Sequence, residues 1–144
     1  TRTFSKIFGL AGMRVGYGLG RPDIIDRVGS HIMAWPNGVG LTAAFHSYED
    51  QAFIAFSRQK VLQGRAMVEK TLRDAGFDPV PSEANFVFVD IGRDGQAFRE
   101  AMAQEGVLIN GGYAGYPTYI RVSMGKLEEL EVFDRVFKRV IARS

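Results

Sequence analysis

The sequence Thr3-Phe4-Ser5-Lys6 stands a short distance before Gly9-Leu10-Ala11-Gly12-Met13-Arg14-Val15-Gly16-Tyr17. Together the two stretches bring an amine, two hydroxyls, a guanidinium and several glycines into one short segment. Glycine has no Cβ, so a backbone rich in it can turn sharply and approach a ligand closely. This segment is therefore the strongest indication of a binding site in the chain.

The polar side chains of the segment suit a phosphorylated aldehyde cofactor. A primary amine such as that of Lys6 can condense with an aldehyde to form a Schiff base. The hydroxyls of Thr3 and Ser5 can donate hydrogen bonds to phosphate oxygens, and the planar guanidinium of Arg14 can bind the same dianion. We therefore expect these four residues to form a cofactor site.

The order of the residues resembles the pyridoxal-phosphate lysine segment of fold-type I aminotransferases. It is most similar to the histidinol-phosphate aminotransferase group, in which Ser-Lys is followed by Gly-Leu-Ala-Gly-x-Arg-x-Gly-Tyr. The resemblance implies that the cofactor is pyridoxal 5'-phosphate, that Lys6 is its catalytic Schiff-base lysine, and that Thr3, Ser5 and Arg14 hold the phosphate. It also implies that the Lys6 amine, once the amino acid displaces it, moves a proton between the substrate Cα and the cofactor.

The bulk composition is that of an ordinary globular protein. The chain has 144 residues, of which 46% are hydrophobic and 24% charged, and this length is enough for a sizeable core. The formal net charge of +2 is too small to indicate a nucleic-acid or membrane-surface partner. No apolar run approaches the roughly 18 residues that a membrane span needs. We therefore expect small-molecule substrates, and neither a nucleic acid nor a membrane as partner.

Two further classes of chemistry find no support in the sequence. The chain has no cysteine, which excludes disulfides and thiolate catalysis. Its two histidines, His31 and His46, have no partners at the spacing of metal ligands, so we expect no metal site.

The chain begins with Thr1, inside the functional motif, rather than with methionine. We expect it to be the C-terminal part of a longer polypeptide, and the 144 residues alone to bind cofactor poorly and to be inactive. A cytoplasmic location is our expectation, although an export signal would lie upstream of this sequence.

Hydrophobic periodicity predicts an α/β chain. A helix is expected to open at Pro22, with its apolar stripe running to Ile32, and Gly76 is expected to end a long helix. The other expected helices are 41–47, 50–75, 97–105 and one striped from Leu127 to Ile141, and the expected strands are 13–19, 85–91, 107–109 and 119–124. Residues 111–117 are expected to form a loop.

The resemblance also implies a division into domains. Residues 1–48 would finish the large cofactor-binding domain of a pyridoxal-phosphate-dependent transferase. Residues 49–144 would form a linking helix and a small C-terminal domain of α+β type, with the substrate in the cleft between the two domains. The resemblance further implies a homodimer with shared active sites.

Arg121 is the candidate for substrate binding. Strand alternation in Tyr119-Ile120-Arg121-Val122-Ser123-Met124 puts Arg121 on the face opposite Ile120 and Val122. The string Ile-Arg-Val-Ser-Met-Gly resembles the segment whose arginine binds the substrate α-carboxylate in this family, a task that suits a two-pronged guanidinium. Asn85 matches a family Asn-Phe pair, and either substrate contact or stabilisation of a turn is open for it.

One position departs from the histidinol-phosphate pattern. Members of that group commonly carry an arginine after a Gly-Val-Leu-Ile-type strand, where this chain has Asn110. If that arginine helps to recognise a phosphorylated substrate, apolar or aromatic amino acids become better candidates than histidinol phosphate.

The predicted activity is a ping-pong transamination. An L-amino acid (histidinol phosphate, or an aromatic or apolar amino acid) would leave its amine on the cofactor, and a 2-oxo acid such as 2-oxoglutarate would take it up. Two alternatives stay open. The lysine segment is shared with decarboxylases and carbon–sulfur lyases of the same fold, and an aminotransferase-like domain also serves as the sensor of some transcription regulators.

Overall fold

The computed structural model describes residues 1–143, and these form two compact units, Thr1–Arg58 and a second unit from Gln59 onward. The five strands are β1 (Arg2–Thr3), β2 (Gly16–Tyr17), β3 (Phe86–Asp90), β4 (Asn110–Tyr113) and β5 (Tyr116–Ser123). The five α-helices are α1 (Pro22–Gly29), α2 (Gly38–Ser47), α3 (Gln51–Asp74), α4 (Gly95–Gln104) and α5 (Leu127–Ile141). The chain thus has the predicted mixture of helices and strands.

The first unit is organised around a short antiparallel pair of strands. β1 pairs with β2, so that Thr3 lies opposite Gly16. One residue further on, the amide of Phe4 donates to the carbonyl of Val15 over 3.2 Å. Phe4, Val15 and Ala44 are buried together, with Phe8, Leu10 and Met13 packed against them. The predicted strand 13–19 is therefore mostly wrong, because only Gly16–Tyr17 pairs.

The chain between these partners forms a compact loop, which we call the lysine loop (residues 5–14). The carbonyl of Phe4 accepts from the amide of Leu10 at 3.0 Å, and the carbonyl of Lys6 accepts from the amide of Gly9 at 2.9 Å. A 3-10 helix, Ala11–Met13, then leads to Arg14, whose φ of 54° and ψ of 47° lie in the left-handed region. Arg14 is the one non-glycine residue with positive φ among residues 1–143.

Helix α1 starts as predicted and ends earlier. Pro22 occupies its first turn and Asp23 supplies the acidic side chain there, where the helix dipole favours it. The helix stops at Gly29, so Ile32 at the end of the predicted stripe lies outside it. The remaining stripe residues Ile24, Ile25 and Val28 are all exposed.

Helix α3 follows the predicted span closely. Its N-terminus is capped by the Asp50 carboxylate, which accepts from the amide of Phe53 at 2.9 Å. Its C-terminus is closed by Gly76, with φ of 86°, and by a bond of 3.0 Å from the amide of Phe77 to the carbonyl of Leu72.

The second unit is a three-stranded antiparallel sheet in the order β3-β5-β4, so β5 is central. The predicted strand 107–109 is wrong, and the predicted loop 111–117 contains β4 and the start of β5. The glycines of residues 111–117 are the reason that a loop is predicted there. Gly112 and Gly115 have φ of 71° and 80° and form a bulge and a hairpin turn within the β4–β5 pair, instead of interrupting it.

The core of the second unit lies on one face of this sheet. Ile120 and Val122 of β5 are buried there. The ring of Phe137 in α5 is fully buried and packs edge-on against Phe98 of α4 at 5.5 Å. Val68 and Leu72 of α3 belong to the same core. Because strand alternation sends Ile120 and Val122 to this side, Arg121 faces the other.

The backbone of Arg14 gives a testable consequence. An L-residue in the left-handed region costs roughly 1–2 kcal/mol, which glycine avoids. We predict that Arg14→Gly has a free energy of unfolding about 1 kcal/mol above that of Arg14→Ala, since both lose the same side chain. Denaturant unfolding of the two variants measures the difference.

The control for this comparison is Arg27, which lies in the last turn of α1. There the order should reverse, because glycine weakens a helix by about 0.5–1 kcal/mol relative to alanine. Equal stabilities for Arg14→Gly and Arg14→Ala would show that the left-handed conformation does not persist in solution.

Candidate active site

The hydroxyls of Thr3 and Ser5 lie side by side at the start of the lysine loop. Thr3 Oγ1 donates to Ser5 Oγ at 2.8 Å and accepts from the amide of Ser5 at 3.1 Å. The Thr3 proton is thus engaged, whereas the Ser5 hydroxyl keeps its own proton for an outside acceptor. The pair forms because Phe4, between them, points into the core and leaves both hydroxyls on the outer side.

Lys6 is exposed and its amine has no partner. Within residues 1–143, no hydrogen bond or ion pair involves the Lys6 ammonium group. The four other lysines include Lys70 and Lys138, whose ammonium groups pair with Asp74 and Asp134. The Lys6 amine is therefore available to a ligand.

Arg14 closes the lysine loop beside the Phe4–Val15 hydrogen bond. Its Nη1 donates to the carbonyl of Ala11 at 2.9 Å, and its side chain is exposed. Helix α2 packs closely behind it, because a Cβ at Gly40 would lie 2.7 Å from Val15 Cγ2 and 3.0 Å from the Met13 carbonyl. Arg14 thus reaches its position from a strained turn supported from behind, and not from the strand that the sequence predicted.

Two tyrosines complete the described surroundings of Phe4. The Tyr48 ring meets Phe4 edge-on at 5.0 Å. A hydrogen bond with Tyr17 is the main cause that raises the pKa of the Tyr48 phenol above its usual value, and loss of solvation adds to it. Tyr48 therefore stays neutral at physiological pH and adds no negative charge near the lysine loop.

In the second unit, Arg121 has the surroundings of a ligand-binding cation. It lies on the central strand, opposite Phe88 of β3 and Asn110 of β4. Its Cζ sits 5.3 Å from the centre of the Phe86 ring. Its Nε is buried without a hydrogen-bond partner, and within residues 1–143 no carboxylate pairs with it. A half-buried charge without a counter-ion is costly, so a bound anion would stabilise it.

A groove of about 380 Å³ opens beside Arg121, where β4 begins and β5 ends. Asn110, Ser123 and Glu129 contribute polar groups to its lining. The Glu129 carboxylate is already used, since it accepts from the amide of Lys126 at 2.9 Å and caps α5. Glu129 is thus the anion of this lining, but within residues 1–143 its carboxylate forms no ion pair with Arg121.

Asn85 lies at the entry to β3 with its side chain exposed. Its carbonyl accepts from the amide of Met124 at 3.0 Å, which ties the entry of β3 to the end of β5. The side-chain amide makes no hydrogen bond within the described part of the chain. The backbone of Asn85 thus has a structural role, while its side chain is free for a ligand.

Aromatic side chains surround Phe88, the strand neighbour of Arg121. The Phe88 ring stacks on Tyr119 at 4.7 Å and meets Tyr113 edge-on at 5.6 Å. The Tyr113 hydroxyl is buried without a partner. Strand alternation could have placed Phe86 and Phe88 on the face of Arg121, but the bulge at Gly112 that reorients Tyr113 has no clear signature in the sequence.

Other kinds of site find no counterpart in the described residues. Residues 1–143 contain no group of three histidine, cysteine or acidic side chains that could hold a metal ion. Over the same residues, none of the helices combines the length and apolar character that a membrane span requires.

Comparison with known proteins identifies the family. The family model for aminotransferase class I and II matches residues 1–136. Histidinol-phosphate aminotransferase 2 of Methylococcus capsulatus is 40% identical over 98% of this chain and 38% of its own length. The histidinol-phosphate aminotransferase of Moorella thermoacetica is 38% identical over 98% of this chain and 37% of its own.

A solved structure shows the same fold. The histidinol-phosphate aminotransferase of Sinorhizobium meliloti, crystallised in complex with pyridoxal-5'-phosphate, superposes with a TM-score of 0.86 at 29% identity. The superposition covers 99% of this chain and 40% of that one. The chain thus spans about two fifths of the length of the relatives it matches, and it belongs to the class I and II aminotransferase family.

Proposed function

We propose that this chain forms part of a pyridoxal-phosphate-dependent aminotransferase. In this proposal residues 1–48 finish the cofactor-binding domain, and residues 49–144 form the linking helix and the small C-terminal domain. The observation that carries the proposal is the unpartnered amine of Lys6 in a loop that begins with two paired hydroxyls and ends at a strained arginine. Membership of the aminotransferase family supports the same reading.

The residues of the lysine loop fit pyridoxal 5'-phosphate. Ser5 has a free hydroxyl proton and Arg14 a guanidinium, and both suit a phosphate. Thr3 fixes the Ser5 hydroxyl through its own hydrogen bond. No described carboxylate forms an ion pair with Lys6 or Arg14. The positive charges of both side chains are therefore free to interact with a phosphate dianion. The bound cofactor would supply an aldehyde for covalent attachment and a conjugated ring that draws electrons from the substrate Cα.

Lys6 acts twice in this proposal. Its amine would hold the cofactor covalently and would be freed when the substrate amine takes its place. The free Lys6 Nζ would then serve as the base that takes a proton from the substrate Cα. An exposed lysine that is tied to no carboxylate can change roles in this way, because no ion pair must be broken first.

Arg121 binds the substrate α-carboxylate in this proposal. The support is its unpaired, half-buried guanidinium and the groove beside it. The Phe86 ring covers one face of the guanidinium, which leaves its edge for two hydrogen bonds to a carboxylate. Asn85 is proposed as a second substrate contact through its free side-chain amide.

The position of Asn110 bears on the substrate. Asn110 lies directly opposite Arg121 on the neighbouring strand, so an arginine there would place a second positive charge beside the first. With asparagine, this part of the site offers a single guanidinium. One positive charge suits a substrate that carries one carboxylate better than a substrate that also carries a phosphate dianion. We therefore favour an aromatic or apolar L-amino acid over histidinol phosphate, with a 2-oxo acid such as 2-oxoglutarate as acceptor.

The remaining features of the proposal follow from the family. We propose a homodimer located in the cytoplasm, acting on small-molecule amino and 2-oxo acids. A decarboxylase or a carbon–sulfur lyase would release carbon dioxide, or ammonia and a thiol, where an aminotransferase releases a new amino acid. Product analysis therefore separates the three activities.

The function is tested with full-length enzyme and a panel of L-amino acids, each paired with 2-oxoglutarate. Lys6→Ala should lower kcat at least about 1,000-fold, because both the covalent attachment and the base are lost. Lys70→Ala is the matched control, since the Lys70 side chain is 74% exposed and, within residues 1–143, its amine pairs with Asp74. Turnover of Lys6→Ala comparable with that of the control would reject the proposed function.

The carboxylate site is tested by Arg121→Lys. The substitution keeps the charge but removes the two-pronged geometry, so KM for the amino acid should rise about tenfold, equivalent to ~1.4 kcal/mol of binding. Arg139→Lys is the control, because Arg139 pairs with Glu105 on the surface. A KM within twofold of the parent for every amino acid would remove Arg121 from the site.

A further inference from the structure

Arg65, on the second half of α3, is an arginine that solvent scarcely reaches. Its side chain is 13% exposed, although it carries a charge and lies on a helix surface. It follows Gly64, which is buried against the second unit's core: a Cβ there would lie 2.7 Å from Leu130 Cδ1 and 3.5 Å from Met124 Sδ. Helix α3 therefore packs closely against the residues that follow β5, directly beside Arg65.

The guanidinium of Arg65 is directed at the loop that precedes β3. Nη1 donates to the carbonyl of Ala84 at 3.4 Å, and Nη2 donates to Glu83 Oε2 at 3.0 Å. The Glu83 side chain is 93% exposed, so its ion pair contributes little. On the other side, Arg65 Nε lies 3.8 Å from Glu69 Oε1, and this carboxylate is shared with Arg73.

Two further hydrogen bonds stabilise the loop at residues 82–85, one within the loop and one to the residue after β5. Ser82 Oγ accepts from the amide of Ala84 at 3.0 Å, which folds the loop into a turn. The carbonyl of Asn85 accepts from the amide of Met124 at 3.0 Å. The hydrogen bonds from Arg65 are additional to these two, and they join helix α3 to the loop.

This loop leads directly into Phe86, the first residue of β3, which lies opposite Ser123 of β5 and contacts Arg121. The Phe86 ring is the surface on which the guanidinium of Arg121 rests at 5.3 Å. Arg121 Nε has no hydrogen bond that could orient it instead. The Arg121 guanidinium thus packs against Phe86, and Phe86 is the residue at which the 82–85 loop enters the sheet.

We propose that Arg65 is a positioning residue that holds the 82–85 loop and, through Phe86, presets Arg121 for the substrate carboxylate. This inference rests on the proposed function of Arg121. It assigns Arg65 no contact with substrate or cofactor. A preset guanidinium binds more tightly because less ordering remains to be done when the carboxylate arrives.

The test uses full-length holoenzyme with the amino donor that gives the highest activity. Arg65→Met keeps the length of the side chain but removes the guanidinium, and should raise KM for the donor five- to tenfold with kcat within twofold. The cofactor absorbance spectrum should not change. Arg65→Lys retains a charge that reaches one partner, so it should raise KM by a smaller factor in the same direction.

The matched control is Arg73→Met on the same helix. Arg73 shares Glu69 with Arg65 but its side chain is 57% exposed, and among the described residues it forms no hydrogen bond or ion pair with the 82–85 loop. Its KM should stay within twofold of the parent. If Arg65→Met and Arg73→Met leave KM equally unchanged, or if Arg65→Met lowers only the melting temperature, the proposal is overturned.

A double mutant separates this proposal from the function on which it rests. In an Arg121→Lys background, Arg65→Met should change KM less than twofold, because the guanidinium that it positions is already gone. Fully additive effects would show that Arg65 acts by another route and overturn the proposal. If Arg121→Lys alone leaves KM unchanged, the carboxylate site itself is wrong, whatever Arg65 does.

Discussion

The hydrogen bond between the amide of Phe4 and the carbonyl of Val15 is the constraint on which the lysine loop depends. It brings the two ends of residues 5–14 together, and the buried Phe4 ring fixes which way the neighbouring side chains point. Thr3 and Ser5, on either side of Phe4, then point away from the core because Phe4 faces inward, and Lys6 is exposed. Arg14 takes up a left-handed conformation because the chain must turn into β2 directly after the 3-10 helix. Strain of this kind is often found where function requires a fixed geometry.

In the second unit, strand alternation fixes the direction of the candidate side chain. Ile120 and Val122 are buried in the core, so Arg121 between them must lie on the other face of the sheet. There it meets Phe86, and no carboxylate among residues 1–143 forms an ion pair with it. The burial of the apolar neighbours of Arg121 thus keeps its guanidinium partly buried, which is unfavourable for a charged group. A carboxylate ligand would remove this cost, which gives a physical reason for the proposed role.

The sequence was informative wherever a regular period acts over many residues. The α3 and α5 helices, the alternation in β5 and the stop at Gly76 were all predicted closely, because burial along one face imposes them. Predictions failed where glycines carry the structure. Of residues 13–19 only Gly16–Tyr17 pairs, and residues 107–109 form no strand, while the glycine-rich residues 111–117 contain a bulged hairpin.

The side chains of the candidate site divide in the same way. Thr3, Ser5, Lys6 and Arg14 were identified by a motif, although the backbone geometry of Arg14 was not. Arg65 was missed because a charged residue on a helix is usually solvated. Its signal was its spacing, since Arg65, Val68 and Leu72 fall on one helical face, and the last two are buried. Long-range partners such as the Ala84 carbonyl cannot be inferred from spacing along the helix.

The most direct measurement concerns the covalent link at Lys6. Full-length enzyme is treated with borohydride, digested, and its peptides are mapped by mass spectrometry. The account predicts a reduced pyridoxyl-phosphate adduct on the peptide that contains Lys6, at that side chain. An adduct on any of the other lysines, or no adduct in enzyme that shows cofactor absorbance, would contradict it.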